Sequence, residues 1–353
     1  CIPGFVAAGV SVLGLQTRCI NNDTTAIHED LILDVAAGVK HLRDSGCDKV
    51  VLFGNSGGGS LFCFYQAQAE KQQGQRLMED PAGKPTKLNA AEMIPADALL
   101  AVSAHPGEGH VLMGCIDAAV TDELGPLASD PALDMYNPDN GFAAPPAPSS
   151  YGPDFVQRYR AAQRARVERL DAMARRYIED AREAEEQYKA SKGQLDFAAR
   201  QAIGRRAALE PVMTLYRTMA NLHYTDPSLD PSKRGYGSLF SERPDLMNYQ
   251  YIGFCRQVTP AAWLSTWSGL SSNADFCKNA AQISCPTLLV NALRDKEIYP
   301  GEAKLMWDSL QGEHNTFLEI DAEHYFEPEF GAATAPDVDK LMAQVVPWVL
   351  EHS

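Results

Sequence analysis

The stretch that decides the fold is KVVLFGNSGGG, residues 49–59. It begins with a short apolar run, 49–53, of the kind that forms a strand buried on both faces of a parallel sheet. The glycine-rich segment 54–59 interrupts this run, and a helical pattern follows over 60–69. The sequence therefore predicts a buried strand that turns abruptly into a helix.

The turn contains a G-x-S-x-G motif, formed by Gly54, Asn55, Ser56, Gly57 and Gly58. This pattern is typical of a nucleophile elbow, in which the serine sits at the apex in a strained backbone conformation. We expect Gly54 and Gly58 to remove side chains that would collide across the turn. The backbone N–H of Gly57, at the start of a helix, is a candidate donor to an oxyanion. A phosphate-binding loop is less consistent with the sequence, because the G-K-[ST] ending and the G-x-G-x-x-G spacing are absent.

Apolar runs and helical patterns alternate on both sides of this motif. Further strands are predicted at 10–16, 98–104, 287–290 and 316–320, and further helices at 30–42, 302–310 and 336–351. This alternation indicates a parallel sheet with crossover helices.

A long insertion separates the two halves of this pattern. It covers 106–280, so the predicted core consists of 1–105 and 281–353. Within the insertion, 154–222 is rich in Arg, Glu and Ala, with apolar residues at three- and four-residue steps. We expect a long amphipathic helix there, followed by at least one more helix.

A serine hydroxyl needs a base within hydrogen-bond reach to act as a nucleophile. His324 follows the last predicted strand, in IDAEHYFEP, and so belongs to the carboxyl edge of the sheet, where catalytic groups gather. His105 and His110 follow the strand that ends at 104, and we expect them to line the pocket. The sequence predicts His324 as the base.

The base needs a carboxylate that orients it. Asp295 ends the segment TLLVNALRD, again at the carboxyl edge of the sheet. Asp321, Glu323 and Glu327 lie closer to the histidine in the chain and are the rivals. The chain order Ser, Asp, His favours Asp295.

On GNSGG, NALRD and AEHYF, the chain resembles the α/β-hydrolase superfamily over 8–105 and 283–353. The resemblance implies a doubly wound, mostly parallel sheet, with 106–280 as a large helical lid. It also implies N-terminal strands, and a loop carrying a second oxyanion donor, upstream of where this chain begins.

The predicted reaction is acyl transfer to water, with a carboxylic ester as the expected substrate and no metal or organic cofactor. The same residues suit a carbon–carbon bond hydrolase, an amidase or an acyltransferase. A serine nucleophile argues against epoxide-hydrolase or dehalogenase chemistry. The alternative from another class is a catalytically impaired member that binds a partner protein through its helical insertion.

The amino-acid composition limits the kinds of molecule that the protein is expected to bind. The formal net charge of −15 argues against nucleic-acid binding, and no apolar run is long enough to span a membrane. Eight cysteines without CxxC spacing favour reduced thiols in a cytoplasmic protein. We expect a small-molecule, apolar acyl substrate, bulky because the lid is large, with Trp263 and Trp267 as pocket candidates. The amphipathic insertion is interpreted either as a lid or as a homodimerisation arm.

Overall fold

The computed structural model describes residues 1–20, 22–328 and 331–352. The strands, in chain order, are β1 (Val51–Asn55), β2 (Ala98–Val102), β3 (Met213–Thr214), β4 (Gln257–Val258), β5 (Thr287–Ala292) and β6 (Thr316–Ile320). Strands β1, β2, β5 and β6 form a sheet in that spatial order, and every pair in it is parallel. Strands β3 and β4 form a separate antiparallel pair.

The α-helices are α1 (Ile2–Ala7), α2 (His28–Asp44), α3 (Gly57–Ala69), α4 (Glu108–Cys115), α5 (Pro153–Ala190), α6 (Phe197–Ala208), α7 (Pro244–Met247), α8 (Pro260–Ala262), α9 (Phe276–Ala280), α10 (Pro300–Ser309) and α11 (Pro336–His352). A π-helical turn, Trp263–Trp267, continues α8. Short 3-10 turns occupy Asp23–Thr25, Pro138–Asn140, Leu222–Tyr224 and Pro227–Leu229.

Helices cover both faces of the parallel sheet. Helices α2, α3, α9 and α10 contribute buried side chains to the core on one face, including Ile32, Phe64 and Phe276. On the other face, α1 and α11 pack against the sheet through Phe5, Leu341 and other apolar residues. Strand β2, with neighbours on both edges and a layer on each face, is buried at all five positions. This arrangement confirms the predicted doubly wound α/β class.

The predicted strand at 10–16 is wrong. The segment has no regular secondary structure, and residues 11–16 are exposed, among them Leu13 and Leu15. A strand persists only where a neighbour completes its hydrogen-bond ladder. Among the described residues, β1 pairs with β2 alone, so this apolar segment has no strand beside it.

The chain leaves the sheet after β2 and returns at β5. Between these strands, α5 runs for 38 residues and packs closely against α6, as the amphipathic pattern predicts. Its buried stripe includes Arg166, which lies four residues from both Ala162 and Leu170 and so shares their face of the helix. The Arg166 guanidinium donates to the carboxylate of Glu123 and to backbone carbonyls. The division into a core (1–105, 281–353) and an inserted unit (106–280) stays a prediction.

None of the helices in the described ranges combines the length and the apolar character that a membrane crossing requires.

Candidate active site

Ser56 lies between the end of β1 and the start of α3. Its φ is 53° and its ψ is −125°, a left-handed conformation that non-glycine residues rarely adopt. Two hydrogen bonds to the Val102 carbonyl hold the turn against β2, one from the Ser56 N–H (3.1 Å) and one from the Asn55 side-chain amide (2.9 Å). A strained residue persists only when its surroundings hold it, as they do here.

The glycines of the motif have different roles from those expected. A Cβ on Gly54 would collide with the carbonyl group of Gly58 and lie 2.6 Å from the Gly59 nitrogen, so Gly54 is required. The expectation for Gly58 is wrong, because a Cβ there meets nothing within 4 Å. It is the Gly58 backbone, not its Cβ position, that approaches across the turn. The close contact lies one residue later, where a side chain on Gly59 would overlap Ala104.

His324 and Asp295 meet beyond the carboxyl ends of β6 and β5. The His324 Nδ1 lies 2.7 Å from the Asp295 Oδ2, and both side chains are almost fully buried. The other carboxylate oxygen, Oδ1, accepts from the backbone N–H groups of Glu297 (2.8 Å) and Ile298 (3.0 Å). The carboxylate is therefore fixed in orientation, and its second oxygen aligns the imidazole.

The rival carboxylates are bound elsewhere. Arg294 pairs with both Asp321 and Glu323, and Lys233 also pairs with Asp321. Glu327 accepts the backbone N–H of Tyr325 at 2.8 Å. The structure therefore brings together His324 and Asp295.

A cavity of about 70 Å³ opens above Ser56 and His324. Its remaining lining is mainly apolar, consisting of His105, Glu108, Val111, Leu239, Phe240, Phe254, Trp267, Glu297, Ile298 and Tyr325. This volume is small compared with the bulky substrate expected from the size of the insertion.

Only some of the residues that were predicted to line the pocket do so in the structure. His105 and Trp267 line the cavity, whereas His110 pairs with Glu302 outside it. Trp263 is not among the lining residues, because it is fully buried in the insertion and its indole N–H donates to Asp171 at 2.7 Å. The π-helical turn changes the angular spacing between the two tryptophans, so a sequence pattern alone could not assign their directions.

A strained serine between a parallel strand and a helix, with a histidine–aspartate pair beyond the ends of two later strands, identifies the architecture. The chain has the α/β-hydrolase fold. Neither a family model nor a curated protein sequence matches the chain.

Several solved structures are similar to this chain. A monoacylglycerol lipase of Paleococcus ferrophilus has 14% identity and a TM-score of 0.35, over 91% of this chain and 76% of that one. A putative non-heme bromoperoxidase, BpoC, from Mycobacterium tuberculosis H37Rv has 13% identity and a TM-score of 0.41, over 100% and 85%. A structure described with the metagenome-derived lipolytic enzymes LipS and LipT has 12% identity and a TM-score of 0.40. The match covers 99% of this chain and 86% of that one. The sheet order and the elbow geometry, rather than these likenesses, identify the fold.

Two carboxyl groups at the cavity are absent from the sequence-based predictions. Burial raises the pKa of Glu297 to about 8, and its oxygens accept from the Tyr224 hydroxyl (2.9 Å) and the Leu239 N–H (3.0 Å). Burial also raises the pKa of Glu108 to about 7, and its Oε2 lies 3.4 Å from the His28 Nε2. In a sequence such glutamates look like surface residues, although Glu297 follows Asp295 by only two positions.

Proposed function

We propose that the protein is a serine hydrolase that cleaves a carboxylic ester, or a related acyl bond, through Ser56, His324 and Asp295. The observation that carries the proposal is the buried 2.7 Å contact between His324 and Asp295, at a cavity that Ser56 also lines. A neutral imidazole held in this way leaves its Nε2 free to accept a proton.

The reaction proceeds in two steps. His324 takes the proton from the Ser56 hydroxyl, whose oxygen attacks the carbonyl carbon and forms a tetrahedral intermediate. The intermediate expels the alcohol, which receives that proton from His324, and an acyl-enzyme remains. Water attacks the acyl-enzyme with His324 again as base, which releases the acid and restores the serine. The Gly57 N–H is the proposed oxyanion donor at the elbow.

The cavity supports an uncharged, apolar acyl group. Its walls are aliphatic and aromatic, and no lysine or arginine is among the described residues that line it. Glu108 and Glu297 are the acidic groups at the cavity. An anionic acyl chain would lose hydration there without gaining a cationic partner, so we expect such substrates to be disfavoured.

Labelling with a fluorophosphonate probe tests the nucleophile and its activation. We expect the wild type to label, Ser56→Ala not to label, and His324→Ala to label at least ~10³-fold more slowly. Asp295→Asn should lower the rate by about 10⁴-fold, because an amide favours the wrong histidine tautomer. Ser45→Ala is the matched control, since its exposed hydroxyl donates only to the His41 carbonyl. A folded wild type that does not label would overturn the proposal.

Product analysis then identifies the bond. Matched p-nitrophenyl ester, p-nitroanilide and vinylogous diketone substrates separate ester, amide and carbon–carbon bond cleavage. Added alcohols or thiols reveal acyl transfer if they divert the product from the free acid. Ester cleavage with the free acid as the main product is the expected result.

A further inference from the structure

His105 lies three residues beyond the end of β2 and is buried, with 7% of its surface exposed. Its Nδ1 accepts the backbone N–H of Gly107 at 3.1 Å. A nitrogen that accepts a hydrogen bond carries no proton, so the neutral ring carries its hydrogen on Nε2. The tautomer of His105 is therefore set by its own loop.

The Nε2 of His105 lies close to the residue that follows the nucleophile. It lies 3.3 Å from the point where a Cβ on Gly57 would be, a point that the Glu108 Oε1 approaches still more closely, and Gly57 follows Ser56 directly. The ring lines the same cavity as Ser56 and His324, and no hydrogen bond joins Nε2 to another of the described residues. The His105 Nε2–H is thus a free donor at the elbow.

The loop that carries His105 is held rigidly. Ser103 has a φ of 43° and donates its N–H to the Val290 carbonyl of β5 (2.8 Å), while Pro106 accepts the N–H of Phe276 (2.7 Å). Gly107 has a φ of 143°, and a Cβ there would lie 2.5 Å from the Ala274 carbonyl oxygen. A donor that is fixed before the reaction needs no reorganisation when negative charge develops.

His105 also stays uncharged. Burial is the main cause that lowers the pKa of its imidazole to about 3, with nearby His324, His110 and His28 lowering it further. The ring therefore remains a neutral donor throughout the working pH range, and it does not compete with His324 for the serine proton.

We propose that His105 donates its Nε2–H to the oxyanion of the tetrahedral intermediate, beside the Gly57 N–H. This inference rests on the proposed serine-hydrolase function. The oxyanion is the former carbonyl oxygen of the carbon that the Ser56 oxygen attacks, next to the residue near which the His105 Nε2 lies. Such a donor acts in the transition state more than in the bound substrate, so its loss lowers kcat rather than raising KM.

The decisive comparison is between His105→Gln and His105→Asn. A glutamine amide reaches the position of Nε2, whereas an asparagine amide ends nearer to Nδ1, and the two side chains are otherwise alike in polarity. With a p-nitrophenyl ester, we expect His105→Asn to lower kcat by about 10²–10³-fold with little change in KM. The kcat of His105→Gln should be at least tenfold higher than that of His105→Asn. His110→Ala, an exposed histidine five residues on, is the control and should keep the wild-type kcat.

Fluorophosphonate labelling separates the two proposals. If the wild type labels at Ser56 and Ser56→Ala does not, but the Gln and Asn variants have equal kcat, the role of His105 is overturned while the hydrolase assignment stands. If a folded wild type does not label, both are overturned. Circular dichroism and thermal melting establish that the two variants are folded, and a loss that appears only in KM also contradicts the oxyanion role.

Discussion

At the scale of single residues, Glu108 shows how the site uses a side chain that a sequence presents as a surface charge. Its side chain is about one-fifth exposed, but its Oε2 is buried 3.4 Å from the His28 Nε2 of α2, and it lines the cavity with His105. Burial raises its pKa from 4.5 to about 7. The folded protein thus binds a proton that the unfolded chain has released between these pH values, so stability falls as the pH rises through this window.

Glu108→Gln removes this titration. We expect the loss of unfolding free energy between pH 5 and pH 8 to be smaller in the variant than in the wild type, by at most about 3 kcal/mol. Urea unfolding at pH 5 and pH 8 measures this change in the free energy of unfolding. Glu297 titrates in both proteins and cancels in the comparison. Glu92→Gln, at an exposed glutamate, should behave as the wild type. Equal pH dependence in Glu108→Gln and the wild type would refute the assignment.

At the scale of elements, the β1–α3 turn depends on one close backbone approach. Gly54→Ala places a methyl group against the carbonyl of Gly58, which belongs to α3 and cannot move alone. We expect it to lower the free energy of unfolding by about 3 kcal/mol. Gly58→Ala is the matched variant. Its Cβ meets open space within a helix, so we expect a gain of about 0.5–1 kcal/mol. Chemical denaturation compares the two, and similar effects in both would contradict the geometry.

At the scale of the whole molecule, the chain between β2 and β5 covers the carboxyl edge of the sheet and limits the space above Ser56. A cavity of about 70 Å³ holds only a few water molecules, so it suits acyl groups of a few carbons. We expect p-nitrophenyl butyrate to be hydrolysed faster than the octanoate. Phe240→Ala should shift the preference toward octanoate several-fold, because this half-exposed ring lines the cavity. Tyr251→Ala, outside the cavity and more exposed, is the control. If the wild type hydrolysed the octanoate faster than the butyrate, the predicted limit on acyl-chain length would be wrong.

The sequence by itself determined the local architecture of the core. Apolar runs and helical spacing located the four strands of the sheet and helices α2, α3, α10 and α11 to within a few residues, because burial imposes a pattern that depends only on neighbours in the chain. The elbow around Ser56 was readable for the same reason. A strand, a glycine-rich turn and a helix are consecutive in the chain.

Contacts between distant segments were decided only by the tertiary structure. The chain order already favoured Asp295 over Asp321 as the partner of His324, but only the structure gives the physical reason, since Arg294 and Lys233 engage Asp321. The segment 10–16 has the composition of a strand but no strand beside it in the described residues. The approach of Glu108 to the elbow was not predicted either, although His105 was expected at the pocket. Pairing, burial and pKa depend on which atoms fill the space around a group, and residues far apart in the chain supply those atoms.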